Sequence, residues 1–511
     1  MSPQFAPLTL EVTVLLLGFF LLFAEAFTKG ESRSWMARFA IYILAVVFAW
    51  SFFTRGDAGV VLDKAFYSAD ATALFFKRIA LLTTMAVLVM ALEYRGVVAK
   101  YLPPGKPGSG LGEFYSLPIF TCAGLMFMAS AVDFLLIFVS LELVTISFYV
   151  LVAYMRRSIA SLEAGVKYLI LGALSTGFLV YGITWIFGLT GETNLARISQ
   201  VLPGMLAEGG RLHGAESAVL FALMLVLVGL GFKVAAAPFQ LWVPDVYQGA
   251  PTPITAFLSV GSKAAGFIVL IRVLQPFFGI PAIHDKLVFV LAIIAGATVI
   301  YGSLAAMPQD NFKRLLAYSS IANAGYLLIA VASIGPSAST FGSSGIAVSF
   351  YLAGYLLMTL LSFLVLIVVA NHSRGDDIIH FNGLAKRSPF LAFGMLTAML
   401  SLAGIPLTVG FYGKFLVFAA AVKEHHFALI IVGVVTVAAG FYYYLRVITA
   451  MYWQEPNDDT PIRIGTLTRL TIGILVALIF LLGIFPQPVL QMLRPQAVAP
   501  RHAEIARATV R

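Results

Sequence analysis

The sequence predicts an all-α, polytopic membrane protein of about fourteen transmembrane helices, and three observations carry that expectation. The first is composition: 511 residues, 60% hydrophobic and 11% charged, with a mean hydropathy of +0.94. A soluble core cannot absorb that much apolar surface. The second is segmentation into apolar runs of roughly 20 residues, the length a helix needs to cross the hydrocarbon, separated by short polar joints. The third is a pair of longer runs, 216–249 and 389–424, each with an internal proline, Pro238 and Pro406. These two are expected to be broken helices, because an inner proline leaves carbonyls without donors and membranes tolerate this only inside protein or beside water.

The first run, 8–27, is hydrophobic and N-terminal like a signal peptide, but it has no basic leading region and contains Glu11 and Glu25. It is therefore expected to be a retained helix. With 37–54 and 74–93 it forms an N-terminal three-helix segment over residues 1–113. Runs 114–131, 133–155, 162–189, 216–249 and 253–275 form a first five-helix unit over 114–275. Runs 284–307, 310–333, 344–371, 389–424 and 427–453 form a second unit over 284–453. The units are expected to be tandem, antiporter-like and inverted, because the order of features repeats: an aspartate, Asp133 or Asp310, opens a helix and a broken helix comes two helices later. Residues 454–511 hold the last helix, 466–484, and a basic tail with Arg494, Arg501, Arg507 and Arg511. Loops after odd-numbered helices carry about seventeen Lys/Arg against about nine in the others, which by the positive-inside rule places both termini on the outer side.

Four ionisable residues lie deep in these runs: Glu142, Lys233, Lys263 and Lys414. A charge near the bilayer centre costs on the order of 3 kcal/mol, so such residues point to a path for ions or protons. Glu142 lies nine residues after Asp133 and fourteen before Arg156, roughly 13 Å from one end at about 1.5 Å per residue. Lys233 precedes Pro238 by five residues, about 7.5 Å, where unwound carbonyls and water could solvate it. Lys263 sits among small residues in Ser-Val-Gly-Ser-Lys-Ala-Ala-Gly, and Lys414 follows Pro406 by eight. A buried lysine loses the solvation of its charged form and a nearby carboxylate restores it, so alternating pairings can load and release a proton. The blander readings are a structural tie for Glu142, snorkelling at a helix end for Lys233 and a counter-ion to another chain for Lys414.

Polar residues of the tenth run, Tyr318, Ser319, Ser320 and Asn323, are candidate groups along a file of water. Counting nine from Asp310 places Ser319 where the first unit has Glu142. Interhelical hydrogen bonding explains them equally well, and Tyr442, Tyr443 and Tyr444 fit packing or an interface. Cys122 is the one cysteine, the seven histidines have no metal-ligand spacing, and no dinucleotide or phosphate-loop motif is present. No cofactor or metal is therefore expected in this chain. The net charge of +9 is scattered through loops and tail, which suits a membrane surface and not nucleic acid.

Three stretches carry a family resemblance: Gly231-Phe-Lys-Val-Ala-Ala-Ala-Pro-Phe-Gln-Leu-Trp-Val-Pro-Asp-Val-Tyr-Gln-Gly-Ala-Pro, Asn311-Phe-Lys-Arg-Leu-Leu-Ala-Tyr-Ser-Ser, and Ser401-Leu-Ala-Gly-Ile-Pro-Leu-Thr-Val-Gly-Phe-Tyr-Gly-Lys-Phe. Over about 114–455 the chain resembles the antiporter-like membrane subunits of proton-pumping NADH:quinone oxidoreductase, respiratory complex I, and among them the N-type subunits. It departs from them at Gln240, where relatives usually have histidine. The resemblance implies that Glu142 and Lys233 form a coupling pair, with Lys263 a central relay and Lys414 the outlet. It further implies that NADH, FMN, iron-sulfur clusters and quinone belong to partner subunits. The implied setting is a hetero-oligomer with other membrane-arm subunits, protons and the lipid bilayer, in the bacterial inner (cytoplasmic) membrane or an equivalent one. A subunit of a multi-subunit cation/proton antiporter and a structural membrane scaffold are the alternatives.

Overall fold

Each apolar run becomes one helix or a pair of half-helices. The computed structural model describes residues 8–28, 33–54, 66–103, 110–206, 215–336, 342–373, 375–456 and 460–493, and the basic tail lies outside them. The described residues are 84% helical, with no strand among them. Helices α1 (Thr9–Phe27), α2 (Ser34–Trp50) and α3 (Ala71–Tyr101) precede α4 (Leu111–Ser130), α5 (Phe134–Val152) and α6 (Ile159–Thr190). A short amphipathic helix, α7 (Leu195–Leu206), leads to the first split helix, α8 (Ala215–Val234) and α9 (Trp242–Gly249). Next come α10 (Thr252–Phe257), α11 (Lys263–Phe278), α12 (Pro281–Ala306), α13 (Phe312–Ala332) and α14 (Ser343–Ser373). The one-turn α15 (Leu384–Arg387) precedes the second split helix, α16 (Pro389–Ala403) and α17 (Val409–Lys423), and α18 (Phe427–Trp453), α19 (Thr466–Ile484) and α20 (Gln487–Leu493) complete the chain. Among the described residues, twelve spans are long and apolar enough to cross a membrane. The two further expected crossings are the 17-residue α2 and the split pair α16–α17.

Both splits begin with the same cap. Ala235 takes a left-handed φ of 63° and the Ala236 N–H donates back to the Gly231 carbonyl at 2.8 Å. Gly404 takes φ 91° and the Ile405 N–H donates to the Leu400 carbonyl at 3.0 Å. These are Schellman-type ends, with Pro238 and Pro406 just beyond, where a residue without an N–H prevents the helix from continuing. Freed backbone groups find partners: the Ala237 N–H donates to Thr298 Oγ1 on α12 at 2.9 Å. A third irregularity, absent from the sequence-based expectation of one plain helix over 253–275, is a π-helical segment, Leu258–Ser262, that joins α10 to α11 at Lys263.

The helix starts correct one residue. Asp133 caps α5 through the Leu135 N–H at 2.8 Å, whereas Asn311, not Asp310, caps α13 through the Arg314 N–H at 3.1 Å. Asp133 bridges to Asn194 and Asn311 bridges to Asp377 in the same antiparallel manner. Asp133 and Asn311 are thus counterparts, and the position nine residues on from Asn311, matching Glu142, is Ser320 and not Ser319. The count from Asp310 was out by one because a cap is set by backbone pairing, which composition alone does not reveal.

Glu11 has a further role in the fold. Its Oε1 pairs with Lys77 Nζ at 2.7 Å and accepts from the Tyr67 hydroxyl at 2.9 Å, and both charged side chains are fully buried. The pair ties α1 to α3. Helices α12 and α13 pack closely, so that a Cβ on Gly302 would meet the Ala322 backbone N at 2.4 Å and one on Gly325 the Val299 N at 2.6 Å. Gly302→Ala must push the helices apart, an overpacking cost of about 1–3 kcal/mol. A lower melting temperature of the purified assembly, with unchanged subunit content, is the expected result; an unchanged one would mean that this contact is loose.

Candidate functional site

Lys233 occupies the last turn of α8, immediately before the first break, and is buried. Its Nζ donates to Thr145 Oγ1 on α5 at 2.5 Å. Thr145 is three residues, one helical turn, beyond Glu142, so the two side chains share one face of α5. Glu142 Oε1 accepts from Thr176 Oγ1 on α6 at 3.0 Å. Glu142 is half-buried at the seam of α5 and α6, and α6 carries an exposed apolar row through Val166, Ile170, Leu174 and Tyr181. Burial rules out a snorkelling Lys233, and Glu142 has one side open toward whatever covers α6.

Lys263 follows the π segment directly and is 2% exposed. Its Nζ donates to the Ser320 carbonyl at 2.5 Å and also to the Ser320 hydroxyl. Ser320 Oγ also lies 3.2 Å from the Tyr247 hydroxyl of α9. The ammonium of one helix is therefore held at the point on α13 that matches Glu142 on α5. Lys233 and Lys263 share no direct hydrogen bond; a Cβ on Gly266 would lie 3.6 Å from Lys233 Cβ, so the Lys263 helix packs on Lys233 one turn further along.

From Ser320 a polar chain continues through adjacent groups. Ser319 Oγ is 2.5 Å from the Tyr444 hydroxyl of α18. Asn323 Nδ2 donates to the Ser319 carbonyl at 2.7 Å, and its Oδ1 accepts from the Tyr351 hydroxyl of α14 at 2.5 Å. Tyr351 packs against Gly413, the neighbour of Lys414. Lys414 Nζ donates to the carbonyls of Leu402 at 2.8 Å and Ala403 at 3.1 Å, the freed C-terminal carbonyls of α16, and lies 5.2 Å from the Tyr326 ring centroid. A cation at a helix C-terminus is stabilised by the dipole there, so the second break solvates Lys414 with no carboxylate paired to it among the described residues.

Lys233, Lys263, Ser319, Ser320, Asn323 and Lys414 are buried along these contacts, with Glu142 at the half-open end. Tyr318 turns away toward the Tyr301 ring, 6.1 Å between centroids. Sequence reasoning overlooked Thr145, Thr176, Tyr247 and Tyr351, whose polar atoms are single hydroxyls in apolar helices with no distinguishing pattern. Tyr444 belongs to the network while Tyr442 is exposed.

Residues 131–440 match the family described as NADH:quinone oxidoreductase/Mrp antiporter, transmembrane. The NADH-quinone oxidoreductase subunit N of Desulforamulus reducens is 37% identical over 492 residues, 96% of this chain and 98% of the relative. A chain of respiratory complex I from Thermus thermophilus superposes with a TM-score of 0.76 at 30% identity, covering 96% of this chain and 100% of that one. A chain of the Mrp complex from Dietzia reaches a TM-score of 0.77 at 21% identity, covering 96% of both, a likeness of fold alone. With antiporter-like architecture and subunit N relatives matched nearly end to end, the chain belongs to the subunit N family of NADH-quinone oxidoreductase, the antiporter-like membrane subunits of complex I.

Proposed function

We propose that this subunit moves protons across an energy-transducing membrane through a relay of Glu142, Lys233, Lys263 and Lys414, driven by quinone reduction elsewhere in the complex. The carrying observation is two buried hydrogen-bonded groups side by side on α13, Lys263 with Ser320 and, from the adjacent Ser319, Asn323 with Tyr351, whose ring packs beside Lys414, flanked by two helix breaks. Glu142 acts on Lys233 as a nearby negative charge that favours the protonated amine, and Lys263 and Lys414 pass the proton between oxygen dipoles. The reading treats 114–275 and 284–453 as two antiporter-like units, with 1–113 and 454–511 flanking them and both termini on the outer side. NADH, FMN, iron-sulfur clusters and quinone reside in partner subunits, and no nucleic acid or metal takes part.

The test is Lys263→Ala and Ser320→Ala in the purified complex reconstituted into vesicles. Lys263→Ala is expected to lower acidification and quinone reduction together. Ser320→Ala removes one hydrogen bond to a charged group and leaves the backbone carbonyl contact, so an effect of about tenfold, the low end for such a bond, is expected. Replacing sodium by potassium should change neither rate; a sodium requirement would favour the antiporter alternative, and loss of assembly with normal pumping in the remainder would favour the scaffold.

A further inference from the structure

A groove of 740 Å³ opens between the start of α2, the end of α3 and the start of α19. Because α2 begins where α3 ends, these helix termini lie at one membrane–water boundary. Arg38 and Arg95 line the groove from two different helices, and both are exposed. Neither guanidinium makes a hydrogen bond or ion pair among the described residues. The carboxylate in the lining, Glu93, accepts from Thr468 Oγ1 at 2.8 Å through Oε2 and keeps its charge, so two arginines against one carboxylate leave the lining net positive. Behind the charges, Ile41, Val89 and Leu92 form an apolar wall. Two apolar stripes run from the groove along the helices, Phe39, Tyr42 and Val46 on α2 and Leu467, Leu470 and Ile474 on α19, all exposed.

Two cations at the boundary with apolar stripes leading inward match the shape and charge of an amphiphile with a negative head. Guanidinium binds phosphate oxygens through paired donors, and an excess of basic groups near a membrane surface attracts anionic lipid. We propose that this groove binds an anionic phospholipid, its phosphate between Arg38 and Arg95 and its acyl chains along the apolar stripes of α2 and α19. The site is separate from the relay residues and is independent of whether they carry protons.

The intact complex, in nanodiscs of phosphatidylglycerol and phosphatidylcholine with a trace of headgroup-diazirine phosphatidylglycerol, is irradiated and its labelled peptides are mapped. Label is expected on the peptides containing residues 38 and 95. Each Arg→Gln change should reduce that label about fivefold, while label elsewhere stays constant as the internal reference. Excess unlabelled phosphatidylglycerol should compete and inorganic phosphate should not. Equal label in the Arg38→Gln, Arg95→Gln double variant, competition by inorganic phosphate, or no label because a neighbouring subunit covers the groove would each overturn the proposal. If the double variant does not assemble, Arg38→Gln and Arg95→Gln alone are read by the same criteria.

Discussion

Lys233→Ala is expected to leave the complex assembled and to slow proton translocation by this subunit about a hundredfold. Lys233 is the ammonium held against Thr145 beside the first break. Without it a proton arriving at that depth has no base to occupy, and placing a bare charge there costs on the order of 3 kcal/mol, about a hundredfold in rate. The side chain touches packing groups at the end of α8, where truncation to alanine removes one buried chain but no ion pair. The rate of dye-reported acidification in vesicles, normalised to complex content, checks this. A rate within twofold of the parent would remove Lys233 from the path.

Glu142→Gln is expected to have the next largest effect, about thirtyfold on the same step. The substitution keeps the shape and the Thr176 hydrogen bond, since an amide oxygen also accepts, but removes the charge. One helical turn separates Glu142 from Thr145, the partner of Lys233, and at a charge separation on the order of 8 Å the pair would be worth about 2 kcal/mol at an effective dielectric of about 20. That energy corresponds to about thirtyfold. Glu142→Asp, which retains the charge, should recover most of the acidification rate; equal impairment of both variants would point to packing.

Hydrophobic runs, inner prolines and isolated charges were legible in the sequence because each violates or satisfies a one-dimensional membrane rule. Length marked the runs that became crossings or halves of crossings, though not the short α7 and α15, and Pro238 and Pro406 marked the breaks. What the sequence concealed depends on contacts between helices. Thr145 and Tyr351 look like any hydroxyl in an apolar helix until Lys233 and Asn323 meet them. The π segment before Lys263 falls on Leu-Ser-Val-Gly-Ser, a string that reads equally well as ordinary helix. The match of Ser320 to Glu142 required the paired bridges at Asp133 and Asn311. Glu11 looked like a mark against a signal peptide because its partner, Lys77, lies 66 residues away in another helix.

Coupling is the central claim: a blocked relay should back up the driving machinery that it shares with the quinone site. Proton release and quinone reduction recorded simultaneously in the same vesicles, for Glu142→Gln and Lys233→Ala, test it most directly. The account predicts that both traces fall together while subunit composition is unchanged. Unchanged pumping per electron together with unchanged turnover in both variants would contradict it, and would make the Glu142–Thr145–Lys233 cluster a structural tie.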